Sequence, residues 1–237
     1  MNWQYRRLLN THLLLIFLLT FWFLPLTHPF CRFVDEQAFI WLNQSLTWSK
    51  TWQYLWGYLN HPAENWLNLI VMLSINFLGV AALTPKDRSR ALAMVLYFWF
   101  FFQLGLFCTH ALFSDLLAIE RESASLVIKP FVKLSNAIGV QVKDYSDNSF
   151  PAGHTFVLIF WANFTSLYAP KFYRYAAYFV AGLLCFPRLF TGAHWLSDII
   201  FTVGYALVWF AWATCTPFYE KAIAYINRLT ARILPTT

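Results

Sequence analysis

Charged side chains are what this sequence lacks most. They make up 12% of its 237 residues, against 59% hydrophobic and 21% aromatic. A soluble domain carries about 25% charged residues, so this composition excludes an ordinary water-soluble fold and indicates a polytopic membrane protein. Cysteine is also scarce. Cys31, Cys108, Cys185 and Cys215 stand in no metal-ligand spacing, and three of them fall within apolar runs, so they read as packing residues and not as a disulfide or metal framework. The net charge of +6 comes from basic residues scattered between apolar spans. With no basic stripe and no recognition motif, nucleic-acid binding is excluded. No internal repeat is visible, and the related halves expected of a transporter built on inverted repeats are missing.

What is present is a series of apolar runs, each near the ~20 residues that cross a bilayer. Arg6 and Arg7 precede the first, Leu8 to Leu26. No small-residue cleavage site follows it, so it reads as a retained span and not as a signal peptide. Further spans are expected at about Trp66–Leu83, Ala91–Phe113, Pro151–Ala169, Tyr175–Phe186 and Trp195–Cys215. Between the first two, residues 36–60 interleave Trp41, Trp48, Trp52 and Trp56 with Gln37, Asn43, Gln44, Ser45 and Lys50. Such a stretch fits short helices lying in the membrane interface, or a helical hairpin packed on the bundle. The expected fold is therefore all-α: six transmembrane helices with interfacial helices between the first and second spans, forming one domain over residues 1–237.

Loop charges set the orientation. Six spans place Arg6, Arg7, Lys86, Arg88, Arg90, Lys171, Arg174, Lys221, Arg228 and Arg232 on one side. The opposite side receives Arg32, Lys50, Arg121, Lys129, Lys133 and Lys143 and most of the acidic residues. The positive-inside rule makes the first side cytoplasmic. Both termini are then inside, and the long 114–150 loop faces outward together with the start of the fourth span and the turn before the sixth.

That outer face gathers the polar residues that matter. Arg188, His194 and Asp198 interrupt a nearly continuous apolar run from Tyr175 to Cys215, and ionisable groups at membrane depth are costly enough to indicate a functional site. If the helix begins at His194, Asp198 lies on the same face one turn later and is placed to orient the imidazole, as the carboxylate does in a catalytic triad. Arg188 adds a permanently charged fork suited to phosphate. The second cluster, Asp147-Asn148-Ser149-Phe150-Pro151-Ala152-Gly153-His154, reads as a helix start. There Gly153 lets a ligand approach the backbone, free N–H groups attract anions, and His154 is placed to protonate a leaving oxygen. A third cluster, Glu120-Arg121-Glu122-Ser123, would by itself read as a solvated charge run. Its place in the outer loop gives Arg121 a partner role near a phosphate.

In this order and on these spans, the three clusters resemble the type 2 phosphatidic acid phosphatase superfamily, whose pattern is Lys-x6-Arg-Pro, then Pro-Ser-Gly-His, then Ser-Arg-x5-His-x3-Asp. The third motif keeps its Arg188/His194/Asp198 spacing. Ser114 stands where the family lysine would be, and Lys129, Lys133 and Lys143 are the loop lysines available to replace it. Glu122, Ala152 and Pro187 replace a proline and two serines. Ser149-Phe150-Pro151-x-x-His154, with Phe186-Pro187-Arg188-x3-Gly192-Ala193-His194-Trp195, is similar to the branch containing bacterial lipid A phosphotransferases. The resemblance implies a metal-independent enzyme of the inner membrane with a periplasmic site and no cofactor. It implies His194 as nucleophile forming a phosphohistidine, Asp198 orienting it and His154 as general acid, with Arg121, Arg188 and Gly153 binding phosphate. It implies undecaprenyl diphosphate as donor and a lipid acceptor such as lipid A, with water as the alternative acceptor in a plain lipid phosphate phosphatase. A transporter lined by these polar groups, or a catalytically dead homologue, are the competing readings.

Overall fold

In a computed structural model, residues 3–233 are described, so the extreme ends of the 1–237 unit lie outside the described residues. The chain is helical throughout this range. Helix α1 (Trp3–Phe23) is followed by α2 (His28–Ser45), α3 (Lys50–Tyr58), α4 (Glu64–Ala81) and α5 (Pro85–His110). A π-helical turn, Ala111–Leu116, extends α5. The outer loop holds two short helices, α6 (Ala124–Val127) and α7 (Leu134–Ile138). Then come α8 (Gly153–Tyr168), α9 (Lys171–Cys185), the short α10 (Pro187–Thr191), α11 (Leu196–Cys215) and α12 (Pro217–Ile233).

By length and composition, three of the described helices suffice to cross a membrane: α4, α5 with its π-turn, and α11. The other expected spans fall on α1, α8 and α9; α8 and α9 have 16 and 15 residues. Boundaries follow local chemistry. Pro85 sits at the first position of α5, where its missing N–H costs nothing, and Thr84 Oγ1 donates to Asp87 Oδ2 at 2.7 Å. The C-terminal tail, expected only as a charged segment, is instead the amphipathic helix α12. Tyr219 and Ile223 are buried in it, Glu220 pairs with Arg90 at 3.2 Å, and Asn227 accepts from Ser89 at 2.6 Å.

Helix α8 is the central post, packed by α5, α9 and α11. Its Phe156, Phe160, Trp161 and Phe164 are fully enclosed. Burying each large side chain contributes roughly 1.5–3 kcal/mol in water, but within lipid the driving force passes to close packing and internal hydrogen bonds. Asn76 of α4 shows the second kind: its Oδ1 accepts from Trp161 Nε1 at 3.0 Å, Thr165 Oγ1 at 3.2 Å and Tyr168 OH at 2.7 Å.

The tryptophan-rich stretch forms most of α2 and α3, which pack on the loop helices and α10. Trp56 is buried and stacks on Phe190 with centroids 4.0 Å apart, whereas Trp41 and Trp48 are exposed. Side-chain amides tie this layer together. Asn43 Nδ2 donates to the carbonyls of Phe190 (2.9 Å) and Val132 (3.1 Å). Asn60 Nδ2 donates to Lys143 O (2.8 Å) and Thr191 Oγ1 (2.9 Å). Asp144 caps α7 by accepting from the amides of Leu134 and Ser135. The long loop is thereby a fixed roof. All four cysteines are free thiols.

Candidate active site

The 188–198 segment does not continue as one helix. Gly192 has φ +76°, a left-handed conformation that ends α10, and α11 starts at Leu196 with Trp195 as its N-cap. His194 therefore precedes the helix, and the expected same-face pairing with Asp198 does not form. Asp198 is occupied elsewhere: Oδ2 accepts from the Trp195 amide at 2.8 Å and Oδ1 from Arg121 Nη1. The partner of His194 is Ser149, whose carbonyl oxygen lies 2.5 Å from Nδ1. A carbonyl only accepts, so Nδ1 carries the proton and Nε2 keeps its lone pair. Ser149 is in turn fixed by its own amide donating to Arg121 O at 2.8 Å.

Arg121 takes a position different from the expected phosphate ligand. It is held between two buried carboxylates, Asp198 and Asp35, with Nη2 2.6 Å from Asp35 Oδ2 and Nη1 2.8 Å from Ser197 Oγ. Asp35 also accepts from the Ser197 amide at 2.8 Å and hydroxyl at 2.6 Å. The guanidinium lies over the Trp22 and Trp195 rings, at 4.6 and 5.1 Å from their centroids. Its donors are engaged in clamping α2 to the start of α11. It faces an apolar groove of about 300 Å³ beside α1 and Phe150, away from His154.

His154 and His194 meet on the other side of Arg121's clamp. The His154 and His194 rings are 5.0 Å apart between centroids. His154, Gly153, Arg188 and Lys143 line a cavity of about 540 Å³ between α4, α5 and α8. A methyl group built at Gly153 would meet nothing within 4 Å, so the backbone there stands open. The N-cap residue Ala152 offers no side-chain cap to α8, and while the Thr155 amide donates to Ala152 O at 2.9 Å, the N–H groups of Gly153 and His154 are left for an anion. Ala152 N instead donates to Thr202 Oγ1 at 3.0 Å, fixing α8 to α11.

Two further residues stand beside Arg188. Of the three loop lysines, Lys143 enters it, while Lys129 Nζ is turned onto Ser125 O at 2.9 Å and the Phe131 ring. Burial, with Arg188 alongside, lowers the Lys143 pKa from its usual value. Glu64, at the first turn of α4, accepts from Arg188 Nη2 at 2.7 Å and is buried. Asp35, Glu64 and Ser149 were not singled out from the sequence. The two carboxylates carried the needed signal, an ionisable group beside an apolar run; Ser149 acts through its backbone, which carries none.

The class that these motifs and histidines define is matched by comparison. Residues 121–222 match the PAP2 superfamily model. Over 210 residues it is 26% identical to the lipid A 1-diphosphate synthase of Escherichia coli (strain K12), covering 87% of this chain and 86% of that protein. No solved structure gives a significant match. The matched region and this relative support a reading of the chain as a lipid phosphatase or phosphotransferase.

Proposed function

We propose that this protein is a lipid phosphotransferase that takes the terminal phosphate of undecaprenyl diphosphate onto His194 and passes it to a lipid acceptor such as lipid A. In this reading α1, α4, α5, α8, α9 and α11 cross the bacterial inner membrane as one domain, with both termini cytoplasmic. The roof and site face the periplasm, and α2 and α3 lie at that interface. The observation that carries the reading is the meeting of His154, Arg188, Lys143 and the open α8 N-terminus around one cavity walled by α4 and α5, with the buried His194 ring 5.0 Å behind that of His154.

The chemistry follows from these positions. Nε2 of His194 attacks the terminal phosphorus, an N–P bond forms, and the bond to the bridging oxygen breaks. His154 gives a proton to that oxygen, releasing the lipid monophosphate. Arg188, Lys143 and the amides of Gly153 and His154 stabilise the phosphoryl oxygens as charge shifts toward the leaving group. A hydroxyl or phosphate oxygen of the acceptor then attacks the phosphohistidine, giving any proton it carries to His154. No metal or cofactor enters the proposed sequence. Asp198 and Arg121 act on the nucleophile through the turn and through Ser149. With water as acceptor, the same steps make a lipid diphosphate phosphatase.

The test uses purified full-length protein with undecaprenyl diphosphate, with and without lipid A, following released phosphate, phosphorylated lipid and acid-labile phosphoenzyme together. A phosphorylated lipid A with little free phosphate establishes transfer, whereas free phosphate regardless of acceptor establishes hydrolysis. Loss of the phosphoenzyme in His194→Ala is expected. Near-normal turnover by that variant, with folding intact, would remove the mechanism.

A further inference from the structure

Below the cationic end of the cavity, its wall changes character. Glu64, Asn68 and Met72 follow one another at four-residue spacing along the buried stripe of α4, so each stands about 6 Å deeper than the last. Glu64 marks the level of Arg188, to which it is bonded. Asn68 comes next, 8% exposed, with a buried Oδ1 that has no hydrogen-bond partner. Asn65 of the same helix and Gln103 of α5 face the same cavity and are exposed at its mouth. Deeper still the lining is apolar, with Met72, Trp99 and Phe102. A buried carboxamide oxygen without a partner is costly in hydrocarbon, and Asn68, with the exposed amides of Asn65 and Gln103 at the mouth of the same cavity, forms a polar layer beneath its cationic end.

We infer that Asn65, Asn68 and Gln103 form a subsite for the inner phosphate of a lipid diphosphate, and so select diphosphates over monophosphates. The inference rests on the phosphotransfer reading for the position of the terminal phosphate. With that group on Arg188 and Lys143, the inner phosphate falls at the amide layer and the hydrocarbon chain runs on past Met72 and Phe102. Neutral amides suit this place. Their N–H groups donate to the phosphate oxygens, and an amide oxygen accepts from the P–OH created when the leaving group is protonated. A lysine or arginine there would hold the leaving lipid monophosphate as firmly as the substrate. Carboxamides recognise it and release it.

The experiment measures binding, not turnover, so that it separates this subsite from the catalytic reading. Full-length protein in lipid nanodiscs is titrated with farnesyl methylenebisphosphonate and with farnesyl phosphonate. The wild type is expected to prefer the bisphosphonate. Asn68→Ala should weaken bisphosphonate binding about tenfold, the value of one hydrogen bond to a charged group, while monophosphonate affinity stays within about twofold. Retained monophosphonate binding reports that the variant is folded. Asn68→Asp should penalise the bisphosphonate further, because a carboxylate repels the inner phosphate. Equal losses for both ligands, or a preference unchanged in Asn68→Ala combined with Gln103→Leu, would overturn the subsite. Loss of the preference in a protein whose wild type never phosphorylates His194 would keep the subsite and remove the phosphotransfer mechanism.

Discussion

His194 donates from Nδ1 to the carbonyl oxygen of Ser149 at 2.5 Å. A backbone acceptor fixes the tautomer as well as a carboxylate does, but it places no negative charge beside the ring. An aspartate in that position would favour the imidazolium; the carbonyl leaves the ring neutral and its Nε2 lone pair ready.

The first prediction concerns pH. Burial, with the Arg188 guanidinium alongside, pushes the His194 imidazole down to about 3, against the upward pull of the Ser149 carbonyl. The ring should stay neutral from alkaline pH to about 4, so protonation of His194 sets no acid limb near pH 6. Because the folded pKa is depressed, the unfolded chain binds the extra proton, and this group's contribution to stability falls as pH drops from about 6.5 toward 3. Labelled-histidine NMR of the purified protein checks this; a His194 ring titrating near pH 6.5 would refute it.

Arg121 should behave as a clamp and not as a substrate ligand. Breaking a buried ion pair from one side costs about 3–5 kcal/mol. Arg121→Ala and Asp35→Asn are therefore expected to lower thermal stability and kcat together, with KM for a lipid phosphate changed less than about threefold. A rise in KM with kcat and melting temperature preserved would return Arg121 to the phosphate.

Lys143 should carry part of the phosphate binding. Lys143→Ala is expected to reduce kcat/KM by about 10–100-fold, the scale of one lost charge-assisted contact. Lys143 loses its proton at lower pH than a free lysine, so activity should decline on the alkaline side as that charge disappears. Lys143→Arg, which keeps its charge, should move this limb upward. A pH–rate profile identical in wild type and Lys143→Arg would contradict the assignment.

Gly192→Ala tests the turn that presents His194. At φ +76° a Cβ is strained, and it would stand 2.5 Å from the Phe39 ring and 2.9 Å from the Ser125 amide nitrogen. That amide donates to Gly192 O at 3.0 Å, so relief by movement would open the roof. A loss of about 2–4 kcal/mol is expected from the left-handed backbone and the overpacking together. Thermal melting in detergent reads it; an unchanged melting temperature would show that the turn adapts.

How much of this was legible in the sequence differs from residue to residue. Arg188, His194 and Asp198 stood out because charge in an apolar run is rare, and His154 because a Pro-x-Gly-His helix start is a local pattern. The supposed His194–Asp198 contact failed on a boundary: α11 begins at Leu196, two residues after His194, with Trp195 as its N-cap, and the carboxylate turns to Arg121. Lys143 was one of three loop lysines with equal claims in sequence. What separates it is Asn60, 83 residues away, and pairings at that range leave no periodic trace. Helix α12 was missed because its apolar face, with Tyr219 and Ile223, is too narrow to register as a span.

The amide cross-links of the roof also bear on how the protein is made. Asn43 and Asn60 come from early in the chain, Lys143 and Val132 from its middle, and Phe190 and Thr191 from near its end. The first-turn anchor at Ala152 waits for Thr202. A chain entering the bilayer N-terminus first therefore holds both histidines only in outline until its last long helix arrives. On the phosphotransfer reading, half-inserted intermediates would carry no working centre, and activity would wait until α11 is in place.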